Sequence, residues 1–167
     1  MIKMDGIRAL IIKVLTVLNS HKRFPIKADL ESQLQFVEFC IVGISNTVIS
    51  YVIYSISLLF FRSLHLFEKY DYLIAQILMF VLSVAWSFFW NNRLVFRLKT
   101  GQTRNLLKSL IKTYASYSFT GLLLNSFLLW LWINGFGISA FIAPFLNLII
   151  SIPVNFVLNK FWAFKVE

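Results

Sequence analysis

The sequence predicts an all-α membrane protein whose four transmembrane helices form two parallel two-helix repeats. Composition is the first observation behind this prediction: 59% of the 167 residues are hydrophobic, whereas apolar residues make up about 45–50% of a typical soluble domain. The second observation is that the positive charges cluster on one side of the apolar runs. The third is a sequence pattern that occurs twice, once at the end of the second apolar run and once at the end of the fourth.

The N-terminal segment, residues 1–35, is basic and precedes the first long apolar run. Apolar residues follow helical spacing over residues 7–18, which predicts an amphipathic helix on the inner leaflet of the membrane. A loosely ordered basic tail is the alternative that the sequence leaves open. Lys13 interrupts the apolar stretch, so the segment is a poor match to a cleavable signal peptide.

Four apolar runs follow, each close to the roughly 20 residues that a helix needs to cross the bilayer. They are Phe36–Phe61, Tyr72–Asn91, Tyr114–Asn134 and Ser139–Leu158. We expect residues 36–165 to form one transmembrane domain, with the first repeat at about 36–97 and the second at about 111–165.

The distribution of lysine and arginine predicts the orientation of these helices. Of the 16 such residues, only Arg62 and Lys69 lie between the first and second runs, and none lies between the third and fourth. The others lie on the opposite side, which the positive-inside rule makes cytoplasmic, so both termini are expected in the cytoplasm. The formal net charge of +9 therefore reflects membrane topology, and we expect no nucleic-acid partner.

The repeated pattern consists of a serine, a phenylalanine, an asparagine, a second phenylalanine and a base. The first copy holds Ser83, Phe88, Asn91, Phe96 and Arg97, and the second copy, 68 positions further on, holds Ser151, Phe156, Asn159, Phe164 and Lys165. Because each repeat contains two helices, both copies enter the membrane in the same orientation. The pattern therefore predicts a parallel repeat.

Asparagines within the apolar runs and at their ends are candidates for a polar seam between the helices. Those of the fourth run recur at multiples of four residues, which places them on one stripe of a helix. The candidate set is Asn46, Asn91, Asn125, Asn147, Asn155 and Asn159. We interpret it as a hydrogen-bonding path that binds a hydrophilic group. Ordinary helix–helix contacts are the alternative, because such residues also hold helix pairs together in lipid.

Charged residues at the inner boundary are the next candidates. Arg93 and Lys160 closely follow the paired asparagines, at the depth expected of a lipid phosphate. A cation beside amide donors predicts a phosphate-binding site, since charge-assisted hydrogen bonds are strong. Anchoring to lipid headgroups is the alternative. Glu38 is expected at the inner interface, with Lys112 or Lys160 as its partner.

No pattern in the sequence predicts catalysis. His21 and His65 lie in loops on opposite sides of the membrane and cannot share a metal ion. The sequence has no glycine-rich phosphate loop and no paired carboxylates. We therefore expect neither enzymatic activity nor a cofactor.

Two of these motifs resemble the GtrA-like family. The first run opens with the form Phe-x-x-Phe-x-x-Val-Gly-x-x-Asn-Thr, from Phe36 to Thr47. The fourth run ends with the form Asn-x-x-x-Asn-Lys-x-Trp-x-Phe, from Asn155 to Phe164. The ending of the second run departs from this form at three positions. Ser87 stands in place of the first asparagine, Asn92 in place of the base, and Leu94 in place of the tryptophan.

The resemblance implies a small bacterial protein of the cytoplasmic membrane that moves a polyprenyl-phosphate-linked sugar for lipopolysaccharide, teichoic acid or a related polymer. It also implies that Arg93 and Lys160 contact the phosphate and that the asparagines contact the sugar. Membrane lipids, a second copy of the chain and a membrane glycosyltransferase are the further partners to expect.

Two other functions compete with this one. A non-transporting scaffold or activator of a polyprenyl-phosphate glycosyltransferase would use the basic N-terminal segment and the loop between the second and third runs as docking surfaces. A small multidrug-type exporter is disfavoured, because such exporters depend on a carboxylate at the middle of the membrane and the sequence offers none there.

Overall fold

The computed structural model describes residues 4–20, 29–67, 69–139 and 142–166, and over these residues it is helical, without strands. The N-terminal helix is Met4–Ser20. Four longer helices, which we call the first to fourth spans, are Leu30–Ser63, Asp71–Val95, Leu106–Gly135 and Phe145–Ala163. Each is long and apolar enough to cross a membrane, which confirms the predicted fold class.

The first span begins before its apolar run because a capping residue sets its start. Asp29 accepts a hydrogen bond from the backbone N–H of Ser32 at 3.0 Å, which satisfies one of the free amides of the first turn. Glu31 adds negative charge at the positive end of the helix dipole. The helix therefore starts at Leu30 rather than near Phe36.

The third span holds two π-helical segments, Phe119–Leu124 and Leu131–Gly135. The second and fourth spans share one geometry, an α-helix that ends in a single π-helical turn. The four segments are Asp71–Trp90 with Asn91–Val95, and Ala143–Leu158 with Asn159–Ala163. Phe96 N–H donates to the Asn91 carbonyl and Phe164 N–H to the Asn159 carbonyl, both at 2.8 Å. The duplicated sequence therefore folds into a duplicated structure.

The four spans form a bundle in which each repeat is a helix pair. The first span packs against the second and the fourth, and the third span does the same. The core lies toward the ends that carry the repeated pattern. Its buried apolar cluster consists of Phe39, Val42, Val95, Phe96, Phe156, Ala163 and Phe164.

Phenylalanines of the repeated pattern make self-complementary contacts. Phe96 stacks on its repeat counterpart Phe164, with ring centroids 4.7 Å apart. Phe88 stacks on Phe164 at 5.5 Å, and the counterpart pair, Phe156 and Phe96, stacks at 6.0 Å. Contacts that recur with the partners exchanged indicate a two-fold relation. An approximate two-fold axis therefore passes between Phe96 and Phe164.

The N-terminal helix packs on the first span, and its helical form favours the amphipathic interpretation of this segment. Arg8 Nη1 lies 3.5 Å from Glu38 Oε1. The expected pairing of Glu38 with Lys112 or Lys160 was therefore wrong: the N-terminal helix brings Arg8 to the acid, while Lys112 donates to the carbonyl of Trp162 at 3.2 Å.

The outer surface of the bundle is apolar and much of its interior is polar. Ile44, Leu122 and Ile149 are 69%, 68% and 70% exposed, whereas Thr113 and Ser151 are buried. This arrangement suits a lipid environment, in which small polar residues join helices and large apolar side chains face the acyl chains.

Candidate substrate-binding site

Asn91 and Asn159, the paired asparagines of the repeat, are fully buried at the first position of the two π turns. Asn91 Nδ2 donates to Ser87 Oγ at 3.1 Å, and the Ser87 hydroxyl shares a hydrogen bond of 2.7 Å with the Tyr117 hydroxyl. Asn159 Nδ2 donates to the carbonyl of Asn155 at 2.8 Å. Both side chains therefore use their N–H groups within the bundle.

Each of the four spans also holds an asparagine whose side-chain oxygen is buried and has no hydrogen-bond partner among the described residues. These asparagines are Asn46, Asn91, Asn125 and Asn159. Buried polar atoms are nearly always hydrogen-bonded, so the four oxygens are acceptors that the bundle itself leaves unused. Asn46 and Asn125 lie well inside their spans, while Asn91 and Asn159 lie at the ends. The unused acceptors are thus spread through the depth of the bundle.

Asn147 and Asn155 join the third span to the fourth. Thr120 Oγ1 donates to Asn155 Oδ1 at 2.9 Å. Asn147 Nδ2 donates to the backbone carbonyl of Asn125 at 3.0 Å, and Asn147 Oδ1 accepts from Trp132 Nε1 at 3.0 Å. The amide of Asn147 is therefore bonded on both sides, which favours a helix–helix contact at this position.

A cleft of about 340 Å³, which we call the basic cleft, opens at the end of the bundle where the two repeats meet. Its charged lining residues are Glu31, Arg97, Lys99, Arg104, Lys160 and Lys165. Glu31 Oε2 lies 3.4 Å from Lys99 Nζ, so the lining carboxylate that the structure describes is already paired. Five cations against one carboxylate make the cleft attractive to anions.

Lys160, predicted to bind phosphate, lines the basic cleft. Its Nζ donates to Ser32 Oγ at 2.7 Å and lies 5.6 Å and 5.7 Å from the ring centroids of Phe156 and Phe161. Hydrogen bonds from Ser32, assisted by the charge of Lys160, hold the pKa of the Asp29 carboxyl below its ordinary value.

Arg93, the other predicted cation, is exposed and lies outside the residues that line the basic cleft. Its guanidinium carbon lies 5.9 Å from the centroid of the Phe89 ring. The structure therefore does not bring Arg93 and Lys160 into one cleft, and a phosphate-binding role for Arg93 stays a prediction.

Arg104 is a cleft residue that the sequence analysis missed. Its Nη1 donates to Asn92 Oδ1 at 2.8 Å, its Nη2 donates to the Phe96 carbonyl at 3.0 Å, and its guanidinium carbon lies 5.1 Å from the Phe164 ring centroid. Burial lowers the pKa of the Arg104 guanidinium. One signal was present: Asn92 stands where the fourth span has Lys160, so the first repeat lacks a base at that position.

A lipid-facing bundle of two related helix pairs, with a basic cleft where the pairs meet, defines a multi-pass membrane protein. The sequence model of the family described as GtrA/DPMS, transmembrane domain, matches residues 38–164. Because the match covers most of the chain, the protein belongs to this family, and the predicted resemblance is confirmed. The family is tied to the handling of polyprenyl-phosphate-linked sugars. Neither the curated proteins nor the solved structures gave a significant match.

Proposed function

We propose that the protein moves a polyprenyl-phosphate-linked sugar across the bacterial cytoplasmic membrane, for the glycosylation of a cell-surface polysaccharide, teichoic acid or lipopolysaccharide. Family membership supports a ligand of this class. The observation that carries the proposal is the basic cleft, which lies where the two repeated helix ends meet. The buried asparagines Asn91 and Asn159 stand one residue before Asn92 and Lys160, so the polar interior adjoins the cleft.

The chemistry of the ligand matches these surfaces part by part. Its phosphate is anionic and is attracted by the cations of the basic cleft. Its sugar hydroxyls donate hydrogen bonds, and the unused oxygens of Asn46, Asn91, Asn125 and Asn159 accept them. Its prenyl chain is apolar and stays in lipid along the exposed faces of the spans.

Transport requires the helices to separate, because the unused amide oxygens are buried in the closed bundle. The approximate two-fold relation offers a way to do this, since two rigid repeats can rock about their contact. The sequence holds no nucleotide-binding pattern. We therefore propose a non-catalytic carrier, in which consumption of the lipid-linked sugar on the outer side drives its net movement.

The test uses proteoliposomes that contain the purified protein and a polyprenyl-phosphate sugar. Periodate, which does not cross the membrane, reports how fast sugar from the inner leaflet becomes accessible outside. We expect rapid exposure with the wild type and loss of it in Asn159→Leu and Lys160→Ala. Lys13→Gln, which removes an exposed charge on the N-terminal helix, is the matched control and should behave as wild type. Folded wild-type protein that gives no exposure above empty liposomes would contradict the proposal.

A scaffold or activator of a polyprenyl-phosphate glycosyltransferase is the second candidate, and one observation favours it. Asn147 and Asn155 are engaged in hydrogen bonds between the third and fourth spans, as in a bundle that does not open. A scaffold would tolerate Asn159→Leu and would lose its enzyme partner on charge reversal at Lys99 and Lys108, measured by co-purification. A second copy of the chain is a further proposed partner, tested by cross-linking in the membrane.

A further inference from the structure

Arg104 places a positive charge beside Asn92, the position at which the first repeat lacks the base of the second. Asn92 and Lys160 occupy equivalent positions of the repeated pattern, each directly after a fully buried asparagine. Arg104 Nη1 bonds to Asn92 Oδ1 at 2.8 Å, so a guanidinium stands beside the position where the fourth span carries its own cation. The approximate two-fold axis therefore relates Lys160 to the pair formed by Asn92 and Arg104, and both cations line the basic cleft.

Neither cation has an ion-pair partner among the described residues. Lys160 donates to a serine hydroxyl, while Arg104 contacts an amide oxygen, a backbone carbonyl and a ring face. The described carboxylates at this end are engaged in other contacts, namely Glu31 with Lys99, Asp29 with Ser32, and Glu38 with Arg8. The Asp29 carboxylate interacts with the charge of Lys160 from beyond ion-pair distance, so Arg104 is the one of these two cations that lacks a counter-ion among the described residues. A half-buried cation of this kind is costly, and a bound anion would offset that cost.

Arg104 also keeps unused hydrogen-bonding capacity. A guanidinium has five N–H donors, and the bonds to Asn92 and Phe96 account for two of them. Arg104 Nε is buried and has no hydrogen-bond partner among the described residues. A phosphate group accepts hydrogen bonds without donating when ionised, and guanidinium and ammonium groups are the side chains that bind it best. The cleft, at about 340 Å³, has room for such a group.

We propose that the basic cleft is a phosphate-binding site in which Arg104, from the loop that joins the two repeats, and Lys160, from the fourth span, are the two cations that hold the phosphate. The ligand class is a phosphate ester at the head of a lipid, or free phosphate, which presents the same oxygens. The choice of a prenyl lipid as the first probe rests on the proposed function, but the site is tested by binding alone.

The experiment is calorimetric titration of the full chain, in detergent micelles, with three probes. A prenyl monophosphate tests the lipid headgroup, inorganic phosphate tests the free anion, and the prenyl alcohol reports what the chain contributes without phosphate. Binding of the monophosphate and not of the alcohol supports the site. Equal affinity for inorganic phosphate also supports it and assigns a soluble source to the ligand. No phosphate-dependent binding by folded wild-type protein overturns the proposal.

Four variants then test the role of Arg104. Arg104→Gln should weaken phosphate binding about tenfold to a hundredfold, the range expected for loss of a charge-assisted contact. Asn92→Lys combined with Arg104→Gln restores a cation at the repeat-equivalent position and should return affinity to within about threefold of wild type. Asn92→Asp keeps the contact to Arg104 but neutralises the charge of the guanidinium with a carboxylate, and it should also weaken phosphate binding. This variant tests the charge even if Arg104→Gln fails to fold. Lys13→Gln is the matched control and should bind as wild type.

Unchanged phosphate binding in Arg104→Gln or in Asn92→Asp overturns the assignment of Arg104. If the double variant binds phosphate no more tightly than Arg104→Gln, positions 92 and 160 are not equivalent in the site. These outcomes are separate from transport. A protein that binds the monophosphate through Arg104 but moves no sugar contradicts the proposed function and leaves the site standing. A protein that moves sugar while Arg104→Gln binds as wild type contradicts the site alone.

Discussion

At the scale of single residues, Asn147 and Asn125 show that asparagines in neighbouring helices differ in how their side chains are hydrogen-bonded. The side chain of Asn147 is bonded on both sides, to Trp132 and to the backbone of Asn125. The side-chain oxygen of Asn125 is buried and unpartnered. The hydrogen bond from the fourth span is accepted by the backbone carbonyl of Asn125, so it does not depend on the Asn125 side chain. One amide joins two helices, and the other leaves a buried acceptor unused.

Asn147→Ala should therefore lower the free energy of unfolding by about 1 kcal/mol, because it removes two interhelical hydrogen bonds worth roughly 0.6 kcal/mol each. Asn125→Ala should change it by less than about 0.5 kcal/mol, since the backbone acceptor remains. Reversible unfolding in mixed micelles measures both values. Equal destabilisation by the two substitutions would mean that the side chain of Asn125 has a structural role as well.

At the scale of an element, the first span illustrates how a polar residue, rather than an apolar run, sets a helix boundary. Asp29 and Glu31 extend the helix from the membrane into the basic end of the molecule. The extension places Ser32 where it accepts a hydrogen bond from Lys160 of the fourth span. The capped turn therefore contributes to the position of a cation in the basic cleft.

This cap should respond to pH. The folded-state pKa of Asp29 is lowered from 3.8, so its stabilising effect is complete above the ordinary value and is lost as pH falls through the folded-state value. Hydrogen exchange of the amides of residues 30–33, corrected for intrinsic rates, should show protection that declines in acid. Asp29→Asn keeps a capping oxygen without a titrating group, and its protection should not vary over this range. A decline of equal size in Asp29→Asn would exclude Asp29 as the source.

At the scale of the whole molecule, the two repeats meet through a stack of phenylalanines on an approximate two-fold axis. Phe96 and Phe164 contact each other directly, and each also contacts a phenylalanine of the opposite repeat. These rings adjoin the basic cleft, because Phe96 and Phe164 line it. The same two rings therefore join the repeats and line the candidate site.

A double-mutant cycle measures this contact. Phe96→Leu and Phe164→Leu should show a coupling free energy of about 0.5–1.5 kcal/mol, as aromatic pairs do beyond their buried area. Phe96→Leu and Phe60→Leu form the control cycle, since Phe60 lies near the opposite end of the first span. That pair should be additive within about 0.5 kcal/mol. Additivity in the test cycle would show that the stack does not join the repeats energetically.

The sequence predicted the four spans because bilayer thickness sets a minimum length that apolar runs reveal directly. It predicted the repeat because the equivalent residues kept their identity at a constant spacing. It did not predict the partner of Glu38, because Arg8 reaches that acid only once the N-terminal helix folds back on the first span. It missed Arg104 for the same reason: a loop residue enters a site through three-dimensional contact, and no periodicity marks it.

The contact between Arg104 and Asn92 has a consequence for how a duplicated protein diverges. Arg104 follows Asn92 by twelve positions along the chain, yet its guanidinium lies beside the uncharged side chain of Asn92. If Arg104 binds phosphate as proposed, a base at position 92 is not needed, and that position is free to differ between the two repeats. An alignment of the two repeats would then show a missing base at position 92, although Arg104 places a positive charge at the same site. The two repeats of such a protein are therefore better compared by the positions of charges in the structure than by aligned sequence positions.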